Sequence, residues 1–295
     1  ADPSGALRHI EALVSGVSRR ATVQRALLPV LLSWFADAPD PDAGLLAFRR
    51  VSDALGSTPW YLRLLRDEGA AAERMATVLG SSAYAGDLLL RAPEATAMLG
   101  DDGELIPVDA AALLQEALVT VERQEDADEA ALAIRALRRR ELLRICIADV
   151  LGRIDDDTVM SAVTELSRAA VAAALAAAHR VVQSASGETL PMHLTIIGMG
   201  RFGGGEMGYG SDADVVFVFE AGPSANDEAA AKAALAVANE VIALLGRPSA
   251  DPPLVVDAGL RPEGRQGPLV RSLASYRAYY ERWSLVWESQ ALLRA

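Results

Sequence analysis

Apolar residues recur at helical spacing through most of the first 187 residues of the chain. An early example is the series Leu7, Ile10, Leu13 and Val14, which places four apolar side chains on one helix face. After the small, polar linker at residues 184–187 the apolar residues form short, partly β-branched runs instead, which are typical of strands. The pattern predicts an α+β protein, with an all-helical region at residues 1–187 and a sheet-containing domain at residues 188–295.

Two predicted strands flank a glycine-rich segment. The first covers residues 194–197, and the second covers residues 214–219, whose apolar side chains on both faces predict a central strand. Seven of the thirteen residues 198–210 between them are glycine. Because so many glycines cost backbone entropy on folding, we expect this segment to let the backbone approach a ligand closely, and a polyphosphate is the ligand that it favours.

Three carboxylates accompany the strands. Asp212 and Asp214 lie two residues apart at the start of the second strand, so both side chains point to the same face. Such close charges repel unless a cation lies between them, and oxygen-only ligands suit Mg²⁺ or Mn²⁺. A third predicted strand, residues 254–257, ends in Asp257. If this strand lies beside the second, three carboxylates can hold two divalent ions for an in-line displacement. The alternative is that Asp257 only caps its strand.

Two other interpretations of the glycine segment are weaker. Gly198, Gly200 and Gly203 follow a strand as in a dinucleotide-binding fingerprint, and Glu220 stands 20 residues after Gly200. The four glycines at residues 204–210, however, are a poor sequence for the crossover helix that this fingerprint needs. A plain glycine turn with a capping Ser-Asp pair is the other interpretation, but it leaves the shared direction of Asp212 and Asp214 unexplained.

Charge and composition narrow the function classes. The net charge of −12 argues against a general nucleic-acid binder, which needs a basic surface. Cys146 is the single cysteine, which excludes an intramolecular disulfide and fits a reducing cytoplasm. The longest apolar run has 10 residues, at 169–178, so we expect no membrane span. Because the chain starts with Ala1 and stops within a predicted helix, we expect a fragment of a longer protein.

Two further groups of residues allow more than one interpretation. A predicted helix at residues 129–150 carries a basic cluster, for which a solvated face is favoured over a contact with phosphate or an acidic partner; its members are Arg135, Arg138, Arg139 and Arg140. The aromatic-rich segment after residue 275 predicts an amphipathic helix packed on the sheet. Three polar residues near its end are candidates to face the site, namely Glu288, Gln290 and Arg294.

Three motifs in order resemble one known family. Residues 198–214 fit Gly-x-Gly-Arg-x-Gly-Gly-x-Glu-x-x-x-x-Ser-Asp-x-Asp, residues 257–264 are similar to Asp-x-Arg-Leu-Arg-Pro-x-Gly, and residues 287–295 are similar to Trp-Glu-x-Gln-Ala-Leu-x-Arg-Ala. These are the signatures of glutamine synthetase adenylyltransferase/adenylyl-removing enzymes. The resemblance implies an α+β fold in which an all-helical N-terminal region precedes a polymerase β-like nucleotidyltransferase domain with a small mixed β-sheet.

The resemblance also implies a chemistry and roles for single residues. It implies ATP as the substrate, Mg²⁺ or Mn²⁺ as the metal and a tyrosine of glutamine synthetase as the AMP acceptor. The implied reaction uses two metal ions, releases pyrophosphate and regulates nitrogen assimilation. Asp212, Asp214 and Asp257 are implied as catalytic metal ligands. The implied nucleotide-binding residues are Gly200, Arg201, Gly203, Gly204, Ser211 and Arg261. Further implied partners are a PII-type nitrogen sensor and other domains of the full-length chain, but neither nucleic acid nor a membrane.

Family enzymes carry one adenylylating and one adenylyl-removing domain. Residues 208–212 and 287–290 resemble the adenylylating half, whereas the removing half tends to have Asn-Phe-Ser-Ser-Asp and Trp-Glu-Arg-Tyr. The alternatives are the removing domain and a catalytically silent module that docks ATP and glutamine synthetase. Two departures stand out: Gly259 replaces the first arginine of Asp-x-Arg-Leu-Arg-Pro, and Arg201 replaces the more common lysine.

Overall fold

The computed structural model describes residues 2–56, 58–223 and 225–295, so Ala1 lies outside the described part of the chain. The chain folds into two compact units, each built from two separate stretches of sequence. The first consists of residues 1–107 and 139–156, and the second of residues 108–138 and 157–295.

The regular secondary structure of the first unit, in its described residues, is entirely helical. Four of its helices begin with an N-cap side chain that accepts a hydrogen bond from a backbone N–H in the first turn. These N-cap residues are Asp2, Ser18, Asp40 and Ser82. The helices are α1 (Pro3–Val14), α2 (Arg19–Ala36), α3 (Pro41–Leu55), α4 (Pro59–Asp67), α5 (Gly69–Ser81) and α6 (Ala83–Arg91), with 3-10 helices at Pro93–Gly100 and Gly103–Leu105.

The core of this unit is aromatic and aliphatic. The rings of Phe35 and Phe48 meet edge to face at 6.0 Å, and both residues are buried. The buried Tyr61 shares a hydrogen bond of 2.8 Å with the hydroxyl of Ser52. Burial raises the pKa of Tyr61 far above its usual value, although the hydrogen bond to Ser52 acts in the opposite direction.

The second unit combines helices with the sheet. Helix α8 contributes its first half here and its second half to the first unit. The remaining elements follow in chain order: α7 (Ala110–Glu122), α8 (Ala127–Val150), α9 (Asp156–Ser186), β1 (Met192–Gly198), α10 (Gly200–Gly203), β2 (Ala213–Ala221), α11 (Asp227–Gly246), β3 (Val256–Asp257), β4 (Val270–Ser272), α12 (Leu273–Arg282) and α13 (Val286–Ala291), with 3-10 helices at Gly264–Gln266 and Leu292–Arg294.

Strand β2 is the centre of a mixed sheet. Its buried residues pair antiparallel with β1 along one edge, from Met192↔Ala221 to Gly198↔Val215. The other edge of β2 pairs in parallel with β3 near its start and with β4 near its end. The sequence predicted β1 and a central β2, and both are confirmed. It also predicted a third strand at residues 254–257 and left open whether that strand lies beside β2. The third strand does pair with β2, but only Val256–Asp257 form it, so the sequence placed its start too early. It missed β4, whose three residues follow Pro268 and form a strand only by pairing with Phe217–Phe219.

This topology also decides against a dinucleotide-binding unit. That unit needs two parallel strands joined by a crossover helix. Here β1 and β2 are antiparallel, and α10 between them has only four residues. The rejection of the glycine fingerprint is therefore confirmed.

Helices α9 and α11 are long and apolar enough to cross a membrane by length and composition alone. Core helices of soluble proteins meet the same criteria, and 56% and 39% of the respective windows are buried inside the protein. The expectation that the chain has no membrane partner stays a prediction. The domain boundary at 187/188 also stays a prediction, although the compact units divide the chain differently and place α7 and α9 with the sheet. The predicted linker at 184–187 is wrong for residues 184–186, which form the last turn of α9.

Candidate active site

Strand register brings the three predicted carboxylates together. Asp214 lies directly opposite Asp257 in the parallel β2–β3 pair, and the Ala213 N–H donates to the Val255 carbonyl at 2.8 Å. Asp212 precedes β2 by one residue and shares the face of Asp214. One carboxylate oxygen from each of Asp212, Asp214 and Asp257 lies within 4.8 Å of the others, and all three residues are half-buried. The expectation that Asp257 joins the pair is therefore met.

Asp214 is the most crowded of the three. Partial burial raises the pKa of its carboxyl group above the usual range, and the charges of Asp212 and Asp257 raise that pKa further. Only Arg201 among the charged groups that affect Asp214 lowers the pKa. The described residues thus hold three acids at a distance where a cation between them relieves their repulsion.

Gly200 makes this crowding sterically feasible. Its φ is +54°, and a Cβ there would lie 2.5 Å from Asp214 Oδ2. The Met199 N–H in turn donates to the Asp214 carbonyl at 2.8 Å, which fixes the start of the glycine segment against β2.

Gly203, Gly204 and Ser211, which the sequence also assigned to nucleotide binding, make contacts within the protein. Gly203 and Gly204 donate their N–H groups to the carbonyls of Met199 and Gly200, at 2.8 and 3.0 Å. A Cβ at Gly203 would collide with the carbonyl oxygen of Arg294, so packing against the C-terminal 3-10 helix requires a glycine there. The Ser211 hydroxyl accepts the Gly208 N–H at 2.9 Å and closes the turn before β2.

A buried threonine anchors the far end of the segment. Thr164 on α9 is 1% exposed, and its hydroxyl accepts the Met207 N–H at 3.1 Å while donating to the Met160 carbonyl at 2.7 Å. Sequence reasoning missed this residue, because a threonine within a helix gives no signal of a contact made 43 positions later.

Arg261 holds the loop that follows β3. Its Nε donates to the Gly267 carbonyl at 3.1 Å, its Nη1 to Ala258 at 2.7 Å and its Nη2 to Arg265 at 3.2 Å. All three guanidinium nitrogens of Arg261, which the sequence assigned to nucleotide binding, thus donate to backbone oxygens of the same loop. Its assignment to the nucleotide stays a prediction.

Glu288 also stabilises this loop, through a hydrogen bond with its backbone. Its carboxylate is fully buried and accepts the backbone N–H groups of Glu263 and Leu285, at 2.9 and 2.7 Å, and the Tyr279 hydroxyl at 2.9 Å. Burial alone would raise the pKa of Glu288, but these hydrogen bonds and Arg271 hold that pKa below its usual value. Glu288 therefore positions the left-handed Glu263 (φ 65°) rather than facing the carboxylates.

The basic cluster of α8 includes two arginines in this unit, and they are not solvated. Arg135 and Arg138 are 3% and 4% exposed. Arg135 donates to the carbonyls of Leu245 and Asp251 at 2.9 and 3.0 Å, and Arg138 donates to Pro252 at 3.0 Å. The favoured interpretation of a solvated face is wrong for these two residues, which bind the segment that leads from α11 into β3.

The donor set fits a divalent cation. Three carboxylates with oxygens within 4.8 Å supply hard ligands. Partial burial raises the pKa of Asp214, and the neighbouring charges of Asp212 and Asp257 raise that pKa further. Cys and His, the softer ligands, do not belong to this cluster of described residues. The set therefore favours Mg²⁺ or Mn²⁺.

The chain matches a known protein family over most of its length. The family model described as glutamate-ammonia ligase adenylyltransferase matches residues 72–295, and with them all three carboxylates. The chain belongs to the glutamate-ammonia ligase adenylyltransferase family. Relatives of this family extend over the whole chain and are named bifunctional glutamine synthetase adenylyltransferase/adenylyl-removing enzyme. The protein of Streptomyces coelicolor is 57% identical over 310 residues, covering 100% of this chain and 31% of the relative.

Other members of the family are nearly as similar. The Cutibacterium acnes relative is 50% identical over 100% of this chain and 29% of its own length. The Mycolicibacterium smegmatis relative is 50% identical over 99% of this chain and 29% of its own length. The chain thus spans under a third of the length of these curated relatives, whose name covers two opposite activities.

Proposed function

We propose that this chain transfers AMP from ATP to a tyrosine of glutamine synthetase. The observation that carries the proposal is the convergence of Asp212, Asp214 and Asp257 through the β2–β3 register, in a chain that belongs to this family of adenylyltransferases. The names of its relatives, which join glutamine synthetase to adenylyl transfer, support the same substrate pair.

In the proposed reaction Asp212, Asp214 and Asp257 would hold Mg²⁺ or Mn²⁺ beside the triphosphate. When bound, the metal neutralises the charge of the phosphates and of the leaving pyrophosphate. Arg201, which already acts on Asp214 electrostatically, adds a guanidinium with a planar fork of donors to the phosphate side. The glycine segment at 200–204, together with Ser211, is the proposed cradle for the β- and γ-phosphates.

The transfer itself is an in-line displacement at phosphorus. The phenolic oxygen of the target tyrosine forms a bond to the α-phosphorus while the bond to the bridging oxygen breaks, and the electron pair leaves with pyrophosphate. Asp257 takes the phenolic proton, which matters because a free phenol has a pKa of about 10. A cytoplasmic location, a PII-type sensor, control of nitrogen assimilation and the absence of nucleic-acid or membrane partners remain part of the proposal.

The test is to incubate the chain with unmodified glutamine synthetase, Mg²⁺ and ATP and to measure intact mass. We expect a gain of one AMP per synthetase subunit, and Asp214→Asn should reduce the rate at least about a hundredfold because a charged ligand is lost. Asp227→Asn, an exposed change in the first turn of α11, is the control and should keep the wild-type rate. Substantial transfer by Asp214→Asn would contradict the metal assignment.

A second candidate is the opposite reaction, favoured by the adenylyl-removing activity in the names of the relatives. Loss of AMP from modified synthetase when phosphate is supplied, without any gain in the first assay, would assign this activity. ATP binding with silence in both directions would assign a docking module.

A further inference from the structure

An exposed arginine in the loop after β3 lies against the carboxylate cluster. The Nη2 of Arg265 is 3.2 Å from Asp257 Oδ2, and the Arg265 side chain is 80% exposed. The other oxygen of Asp257 accepts the N–H of Gly259 at 2.7 Å. Arg265 therefore places a positive charge at the metal-binding acids from the solvent side.

Gly259 lies between Asp257 and this guanidinium at close range. A Cβ at residue 259 would lie 2.9 Å from Asp257 Oδ1 and 3.8 Å from Arg265 Nε. Residue 259 is also where the resembling motif has an arginine and this chain has none. The space beside Asp257 that a side chain at 259 would enter is thus bordered by the guanidinium of Arg265.

The second arginine of the loop serves a different purpose. Three nitrogens of Arg261 are committed to the carbonyls of Ala258, Arg265 and Gly267. These three hydrogen bonds connect residues before and after Arg261 and so fix the conformation of the loop that carries Arg265. Arg261 therefore shapes the loop, and the exposed charge that the loop presents to the site belongs to Arg265.

We propose that Arg265 is the loop residue that binds the polyphosphate of the nucleoside triphosphate, in place of an arginine at 259 and of Arg261. This inference rests on the proposed function, because it needs a triphosphate at the carboxylates. A guanidinium offers paired donors that suit phosphate oxygens. In the absence of nucleotide Arg265 pairs with Asp257, and it transfers to the phosphates when the nucleotide binds, which leaves Asp257 free to hold a cation.

The test measures the binding of Mn²⁺·ATP, Mn²⁺·AMP and Mn²⁺ alone by isothermal titration calorimetry. Arg265→Ala should weaken ATP binding about tenfold, as expected for a lost hydrogen bond to a charged group, and should change AMP binding less than about twofold. Arg265→Lys should retain part of the ATP affinity, because the charge remains. Arg277→Ala, a change at an exposed arginine of α12, is the matched control and should bind both nucleotides as the wild type does.

Three results would overturn the inference. ATP binding by Arg265→Ala equal to that of the wild type, with Asp214→Asn still losing the nucleotide, would refute the role of Arg265 and leave the proposed function standing. Equal loss of ATP and AMP would show that Arg265 acts only through Asp257. If the wild-type chain bound no nucleotide, the proposed function would fail and this inference with it. Thermal unfolding of each variant in EDTA is the folding control: a midpoint equal to that of the wild type shows that a loss of binding is not caused by unfolding.

Discussion

At the scale of single residues, Gly200 links the two halves of the site. Its left-handed φ of +54° turns the chain away from β1, and its missing side chain leaves space for the Asp214 carboxylate. The same position therefore satisfies a backbone requirement and a packing requirement. No other residue type meets both, since an L-residue in this conformation is strained by about 1 kcal/mol or more.

We expect Gly200→Ala to impair metal binding and stability together. The new Cβ would lie 2.5 Å from Asp214 Oδ2, so either the carboxylate or the segment must move. The unfolding free energy should fall by about 1–3 kcal/mol, and the increase in thermal midpoint caused by Mn²⁺ should shrink. Differential scanning fluorimetry with and without Mn²⁺ measures both effects.

Gly210→Ala is the matched control for this change. Its φ lies outside the left-handed range and its Cβ would meet no described atom within 4 Å, so the variant should keep the wild-type midpoint and the full Mn²⁺ response. Equal behaviour of the two variants would show that glycine is not required at residue 200.

The glycines also show where residue-level prediction stops. Their number indicated a close approach of the backbone, and the sequence favoured a polyphosphate as the approaching group. The structure gives Gly200 the Asp214 carboxylate and Gly203 the Arg294 carbonyl as neighbours. The number of glycines can reveal that side chains would not fit in this segment. It cannot identify the group that comes close, because that group can belong to a distant residue, such as Arg294, which follows Gly203 by 91 residues.

At the scale of elements, the segment between α11 and β3 is held by buried arginines of α8. Arg135 bridges the carbonyls of Leu245 and Asp251 and the hydroxyl of Ser249, and burial lowers the pKa of its guanidinium. Because this segment delivers β3 to β2, the helix helps to set the register in which Asp257 meets Asp214.

We expect Arg135→Met to destabilise the fold by about 2–3 kcal/mol, since the buried carbonyl of Leu245 loses its charged donor while the side-chain volume is retained. Urea unfolding followed by circular dichroism gives the change. Arg168→Ala is the control, because its ion pair with Glu165 is largely exposed and should contribute less than about 0.5 kcal/mol. A loss at residue 135 no larger than this control would argue against the anchoring role.

Element prediction succeeded where local pattern and tertiary role agree. The apolar run of β2 predicted a buried central strand, and β2 has partners on both edges. Strand β4 and the buried arginines were missed for a common reason. A three-residue segment after a proline has a weak preference for a strand, and clustered arginines in a helix favour solvent. The rest of the fold overrides both preferences.

At the scale of the whole molecule, the sheet shares its compact unit with helices from far upstream. Residues 108–138 and 157–186 group with the strands, and the hydrogen bond between Thr164 and Met207 ties α9 to the glycine segment. The sequence predicted the helical and sheet-containing regions, but it placed a linker where the last turn of α9 continues to Ser186. The apolar pattern also could not show which helices share a compact unit with the sheet.

Two fragments test this arrangement. Residues 188–295 alone should lack a cooperative thermal transition, because this fragment lacks α9, whose buried residues belong to the same compact unit as the sheet. Residues 157–295 should regain at least part of the transition. Identical cooperative unfolding of the two fragments would instead support a self-contained domain that begins after residue 187.

The attachment of both β3 and β4 to one edge of β2 has a consequence for how the site can diversify. Residues 258–269 leave the sheet opposite Asp214 and return opposite Phe217, three positions further along β2, so the two ends of this excursion are about 10 Å apart. Because strand pairing fixes both ends, the loop between them is already closed, and the conformational entropy lost on closing a loop grows only slowly with its length. Insertions between residues 258 and 269 can therefore alter what the protein accepts while the three acids keep their places.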